Sequence, residues 1–354
     1  MPLEGTGEVT GVVGISCGLS APFVAGQLSW AFQRQIPAAG VGFNDLSSSA
    51  VQEAFRDKRL TLVNPIVGPE AVTGSSRMKG GSATKMLLER AFMPSISWDT
   101  YKAAHASIYE GSAVASLARL AGFCGNALLT NVGDRGASIV YIGRGTVGVL
   151  GLIDASEQRP TFGAKVDDVR GCLLDWGGTK YAALSSSPSV EVVLPSLLPG
   201  SVVILKATTT NEEAERDLSM VKSFLPASGV LLWVVSIAEA RPSFVEPSTV
   251  THVEIPTSIT SAPPSNQHSR AALIETAAKW VVNYLSTTAH VLKGCVYKNR
   301  MTNVCITNQK LFRRAVGIVR DVAGVGEVDG WSALLAACFV SHEVRKYPRC
   351  GICK

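Results

Sequence analysis

The residues of this sequence best suited to chemistry stand in three short polar loops, each between an apolar run and a stretch of helical spacing. The first, Gly14-Ile-Ser-Cys-Gly-Leu-Ser-Ala-Pro, carries Ser16, Cys17, Gly18 and Ser20. The second, Gly74-Ser-Ser-Arg-Met-Lys79, offers the hydroxyls of Ser75 and Ser76 with the cations of Arg77 and Lys79. A helix N-terminus presents free backbone N–H groups and a partial positive charge, and small hydroxyl-bearing residues let an anion approach it, so both loops suit a phosphate. The same serines serve equally as plain helix caps, and the residues alone leave both readings open.

The third loop, Gly143-Arg-Gly-Thr-Val-Gly148, has the spacing of a dinucleotide fingerprint. That fingerprint also wants an acid at the end of the next strand to hold a ribose. Asp167 and Asp168 lie at about that distance, but they follow the polar segment Thr161 to Lys165 rather than a strand, so the glycines read as a tight turn and no cofactor is expected. Cys338, His342, Cys350 and Cys353 could in principle ligate zinc, yet a lone terminal Cys-Gly-Ile-Cys without a second close pair reads as unliganded.

The elements that must position these loops follow from periodicity. Glu8 to Ser16 reads as a strand passing through the first loop into a helix; Leu60 to Val67 leads through the second into a helix with Ala83, Met86, Leu87 and Ala91 on one face, ended by Pro94. Residues 99 to 122 read as one amphipathic helix capped by Asp99 and connecting two domains, with Ile108, Val114, Leu117 and Leu120 apolar. Strands at Ser138 to Gly143, Ser201 to Leu205 and Gly229 to Ser236 then alternate with helices after Gly143 and Asn211. Pro256 to Ser269 reads as irregular, and helices are expected at about 270 to 292, 308 to 323 and 330 to 340. Such alternation predicts α/β architecture with parallel sheets covered on both faces and ligands at the carboxyl ends of strands, where the three loops fall.

Composition bounds the alternatives. At 354 residues, 46% hydrophobic and 17% charged, the chain can fill two cores. Its net charge of +5 is scattered, apart from Arg345, Lys346 and Arg349, which excludes a nucleic-acid stripe. The longest apolar run, Gly229 to Ile237, is about half the ~20 residues of a membrane span, so no membrane partner is expected. Glu4 and Glu8 without a basic start argue against a secretory signal and for the cytosol. Cys124, Cys172, Cys295 and Cys338 sit in apolar segments and read as buried reduced thiols.

Longer stretches carry a resemblance. Asn64-Pro-Ile-Val-Gly-Pro-Glu-Ala-Val-Thr-Gly-Ser-Ser-Arg-Met-Lys-Gly-Gly-Ser-Ala-Thr-Lys85 resembles the signature shared by glucokinase regulatory proteins and bacterial N-acetylmuramic acid 6-phosphate etherases. Gly18 to Gln27, Thr161-Phe-Gly-Ala and Asp168-Val-Arg-Gly171 resemble the regulatory proteins, while Ile142 to Gly148, Leu152 to Glu157 and Pro160 to Gly163 also resemble the etherases. Lys279 to Thr287, Lys298 to Met301 and Thr307 to Leu311 fit the helical tail of either, so the resemblance runs over roughly residues 9 to 325.

The resemblance implies two doubly wound, three-layer sugar isomerase-type domains, the first incomplete, plus a C-terminal helical segment, with boundaries at 1–112, 113–295 and 296–354. The family's first domain opens with a strand and a Gly-Thr-Ser-Gly phosphate loop ahead of anything matched here, which makes the principal sugar-phosphate site incomplete in expectation. What remains of it would use Ser16, Cys17, Gly18, Ser20, Ser75, Ser76, Arg77 and Lys279, binding fructose 6-phosphate or fructose 1-phosphate. The implied partner is a glucokinase or hexokinase-type enzyme, bound and inhibited in the cytoplasm or nucleus without catalysis.

A second-pocket loop would comprise Gly143, Arg144, Gly145 and Thr146; Val147 replaces a family serine there, and Arg144 is expected to compensate by meeting an anion. The alternative is a lyase or isomerase with Glu157 as acid–base residue. Elimination needs a base and an acid, and the etherases' second glutamate motif has no counterpart after Gly171, so Glu157 reads as a local cap or pair.

Overall fold

The computed structural model describes residues 9–16, 21–42, 52–53, 56–57, 59–130, 136–174, 189–208, 211–226, 228–242, 249–255, 267–304, 306 and 309–340. Chain contacts divide at Pro94/Ser95 into two units.

The first unit holds β1 (Val12–Ile15), α1 (Pro22–Gln33), β2 (Ala38–Val41), β3 (Leu60–Val63) and α2 (Lys79–Phe92). Its strands pair in parallel in the order β1-β2-β3. Helix α1 begins on Pro22, whose fixed φ and missing N–H suit a first turn. It buries Leu28 and Ala31 against Ala38 and Leu60. Gly14 permits that approach, since a Cβ there would meet Leu28 Cδ1 at 2.9 Å. Strand β2 was not legible: Ala-Ala-Gly-Val has little strand propensity, and its place comes from pairing on both edges.

The second unit begins with α3 (Trp98–Tyr109) and α4 (Ser112–Leu129). The single helix expected over 99 to 122 is broken here, because Gly111 takes φ 70°, a conformation that side chains other than glycine resist. The cap is Ser97, whose Oγ accepts from Thr100 N at 3.1 Å, while Asp99 is exposed in the first turn beside Lys102. Helix α3 packs within this unit, so the division at residue 94 precedes the expected boundary at 112.

There follow β4 (Ile139–Gly143), α5 (Gly145–Phe162), β5 (Val169–Leu173), α6 (Val190–Val193), β6 (Val202–Ala207), α7 (Asn211–Phe224), β7 (Leu231–Ala238), β8 (Val250–Glu254) and the long α8 (Gln267–Leu292). A short hairpin, β9 (Val296–Tyr297) with β10 (Arg300–Met301), leads to α9 (Gln309–Ala323) and α10 (Glu327–Val340). The sheet is wholly parallel, in the order β5-β4-β6-β7-β8. One face packs on α6 and α7 through Val140, Ile142, Val203, Leu205, Leu218 and Val221. The other is covered by α5, α4 and α8, which pack on one another and on the sheet. This is the doubly wound, three-layer arrangement that the strand–helix alternation predicts.

Strand order reverses at β4, whose neighbours are β5 and β6, so the crevice at its carboxyl end is the topological switch point. All six residues of β6 are buried, as a central strand requires. Strands β5 and β8 escaped the sequence reading because Arg170, His252 and Glu254 interrupt their apolar pattern. Among the described residues no single helix is long and apolar enough to cross a membrane.

Candidate functional site

In the first unit, Ser16 directly follows β1, its N–H donating to Val41 O at 3.1 Å. Its hydroxyl is buried and has no hydrogen-bond partner among the described residues. It stands at the carboxyl end of a parallel strand, where doubly wound sheets open their crevices. Ser16 does not cap α1, whose N-cap is Ala21. Cys17, Gly18 and Ser20 lie outside the described residues.

The second loop turns at Gly74, φ 96°, and enters α2. The serine-cap reading fails here: the N-cap is Met78, with no side-chain bond. Instead Ser75 N donates to Val72 O at 3.2 Å, and Ser76 O accepts from Gly81 N at 2.7 Å. The helix end is occupied by Glu70, whose Oε2 accepts from Lys79 N at 2.9 Å and whose Oε1 accepts from Gly80 N at 2.8 Å. Lys79 Nζ donates to Pro69 O at 2.9 Å. The chain's own carboxylate therefore satisfies the first-turn N–H groups that an anion would otherwise take, and Ser75, Ser76 and Arg77 are half-buried beside it.

At the switch point of the second unit, Gly143, Arg144, Gly145 and Thr146 bend β4 into α5. Gly148 lies so close to β4 that a Cβ would meet Gly143 O at 2.6 Å and run into Leu173 Cδ2. The glycines are thus explained by a close strand–helix turn. Asp167 and Asp168 stand before β5, at the end opposite to where a ribose acid belongs. Asp168 accepts from Lys293 Nζ at 2.7 Å and Lys165 N at 3.2 Å, a local structural role.

Arg144 differs from expectation. Its Nε donates to Asp217 Oδ2 at 2.8 Å and its Nη2 to Oδ1 at 2.5 Å, with Glu213 at 3.5 Å. Two acids of α7 thus meet the guanidinium, and an incoming anion would have to displace them. Val147 is buried, so the residue standing for the family serine fills core space.

Behind this loop lies a buried polar cluster that the sequence reading missed. Lys206, on β6, threads between β4 and α5; a Cβ at Gly151 would meet its Nζ at 2.6 Å. Its Nζ donates to Val147 O at 2.5 Å. Burial pulls its pKa down to about 7, with Asp154 opposing the shift. A lone lysine in the apolar run Val202 to Ala207 was the signal that could have found it.

Asp154, on α5, is 2% exposed and accepts from Asn283 Nδ2 at 2.9 Å, Ser286 Oγ at 3.2 Å and Gln158 Nε2 at 3.1 Å. Lys279, one turn before Asn283 on α8, donates from Nζ to Asn283 Oδ1 at 3.0 Å. Glu157 is half-buried on α5, one turn beyond Asp154. The residues assigned to sugar phosphate therefore fall in both units: Ser16 and Ser75 to Arg77 in the first, Lys279 in the second.

Among the described residues no cluster of three metal-ligating side chains occurs, and His342, Cys350 and Cys353 lie outside them. Cys124, Cys172 and Cys295 are buried free thiols. Burial raises the first two, Cys172 to about 11. Such thiols are poor nucleophiles at neutral pH.

The parallel sheets flanked by helices, with polar loops at the carboxyl ends of their strands, define a doubly wound α/β protein. A family model for the C-terminal lid domain of glucokinase regulatory protein matches residues 298–350. The glucokinase regulatory protein of Xenopus laevis is 29% identical over 88% of this chain and 57% of its own length. The Homo sapiens protein is 29% identical over 95% and 61%, so the chain spans about six-tenths of these relatives. The N-acetylmuramic acid 6-phosphate etherase of Mycolicibacterium smegmatis is 32% identical over 59% of this chain and 70% of the enzyme. The C-terminal domain of glucosamine-fructose-6-phosphate aminotransferase from Francisella tularensis overlays with a TM-score of 0.48 at 15% identity, covering 80% of this chain and 72% of that one. The chain belongs to the family that joins the N-acetylmuramic acid 6-phosphate etherases with the glucokinase regulatory proteins.

Proposed function

We propose that this chain is a phosphosugar-binding regulator that works without catalysis, its occupancy by fructose 6-phosphate or fructose 1-phosphate controlling association with, and inhibition of, a glucokinase or hexokinase-type enzyme. The observation that carries the ligand half of this reading is the buried, unbonded hydroxyl of Ser16 at the carboxyl end of β1. Family membership supports the class of ligand, and the kinase partner follows from the name of the regulatory proteins.

The etherase relative favours a second reading, a phosphosugar lyase with Glu157 as acid–base residue. Elimination needs both a base and an acid, and Asp154, the nearest acid along α5, is committed to three hydrogen bonds. That leaves Glu157 without a second carboxylate on its own helix free for proton transfer.

Thermal unfolding with each fructose phosphate tests the first reading, since a ligand that binds only the folded state raises the midpoint by mass action. A rise that Ser16→Ala abolishes is expected, together with slower glucose phosphorylation by glucokinase in the presence of the chain. Product formation from N-acetylmuramic acid 6-phosphate, lost in Glu157→Gln, would replace the regulator with the lyase.

A further inference from the structure

We propose that the outer edge of the five-stranded sheet carries a site for a small zwitterion, a molecule with a phosphate or carboxylate at one end and a positively charged nitrogen at the other. The site lies wholly within residues 95–354 and is independent of the fructose phosphate reading above. Strand β8 is the last strand of its sheet, with a neighbour, β7, on one side only. Ile255 N donates to Ala238 O at 3.1 Å, so alternation along the strand turns the main-chain groups of Val250, His252 and Glu254 away from β7. Helices α3 and α4 pack on this edge, one on each side of the break at Gly111, and Ser116 Oγ donates to Val250 O at 3.3 Å.

Between the helix break and the strand lies a cavity of about 430 Å³, a size that takes a small metabolite. Glu110 at the break, Arg119 two turns into α4, Arg241 beyond β7, and His252 and Glu254 on β8 line it. Two guanidiniums and two carboxylates thus share one cavity, yet among the described residues none of the four forms an ion pair. A plain anion would meet the arginines and be opposed by both carboxylates; a plain cation would meet the reverse. A zwitterion answers both signs with charge-assisted hydrogen bonds.

His252 is half-buried, and its Nδ1 shares a hydrogen bond with Ser236 Oγ at 3.3 Å, which orients the ring. Burial pulls its pKa down against the pull of Glu254, with Arg241 adding to the fall. At neutral pH the imidazole therefore brings a hydrogen bond to the cavity and leaves the charge balance to the arginines and glutamates.

Calorimetric titration of the whole chain in saturating fructose 6-phosphate tests the site. The probes are glucosamine 6-phosphate and 4-aminobutyrate, which carry the two kinds of anion, with glucose 6-phosphate and glucosamine as single-charge controls. At least one zwitterion is expected to bind, about tenfold or more tighter than either control, the worth of one hydrogen bond between charged groups. Arg241→Gln is expected to weaken the zwitterion by about tenfold, and Glu254→Gln to bring it level with a probe that lacks the nitrogen. Both side chains are exposed, so melting temperatures should match wild type. The site is refuted if neither zwitterion binds, if the controls bind as tightly, or if both variants match wild type. Binding that Ser16→Ala removes and Arg241→Gln spares would also refute it, and would return the ligand to the first unit.

Discussion

Lys206 is the residue at which burial and charge are most opposed. A lysine in water ionises near 10.5, and burial brings this one to about 7 although Val147 O and Asp154 favour the ammonium. Between about pH 7 and 10.5 the unfolded chain therefore carries a proton that the folded chain lacks. Folded stability contributed by this group rises with pH across that window, by up to about 1.4 kcal/mol per pH unit. Urea denaturation at a series of pH values, wild type against Lys206→Met, is expected to show this slope in the wild type alone; parallel curves would mean that Lys206 does not titrate there. At the same scale, Ser16 and the loop of Ser75 to Arg77 stand out as candidates from residue type and position alone. The partners Glu70 and Asp217 were not, because each is defined by a contact across the fold; Asp217 lies 73 residues from Arg144.

At the scale of elements, glycines decide how closely α5 lies on the sheet. A Cβ at Gly171 on β5 would meet Leu152 N and Cα at 2.7 Å, backbone that cannot swing aside. Gly171→Ala is expected to destabilise the fold by about 1–3 kcal/mol, by overpacking. Gly122, inside α4, has open space around its missing Cβ, and Gly122→Ala is expected to stabilise by about 0.5–1 kcal/mol through helix propensity. Chemical denaturation of the two variants checks the opposite signs. Strands β4, β6 and β7 were legible because continuous apolar runs mark central parallel strands. Strands β2, β5 and β8 were not, since a weak or interrupted pattern becomes a strand only when neighbours supply its hydrogen bonds. The break at Gly111 was hidden because glycine inside an apolar helical pattern announces no particular φ.

At the scale of the molecule, the two units differ in self-sufficiency. Among the described residues, 95–354 own a five-stranded sheet with covered faces, whereas the first unit has three strands. A fragment of residues 95–354 is expected to unfold cooperatively on its own, and a fragment of residues 1–94 to be marginal, since small sheets bury little surface. Calorimetry on the two fragments checks this; a featureless trace for the larger one would show that its core depends on the rest of the chain. The doubly wound class and the family were legible from alternation and from long motifs, because both are spread over many residues. The path of Lys206 has a consequence for descent. Its side chain runs past Gly143 and Gly151: a Cβ at Gly151 would meet Lys206 Nζ at 2.6 Å and Tyr141 Cβ at 2.8 Å, and one at Gly143 would press on Gly148 Cα at 3.2 Å and Lys206 Cε at 3.3 Å, so the strand, the turn and the lysine together keep both positions small. These positions form a small hereditary unit: among relatives, those that keep a lysine on this strand should keep both glycines.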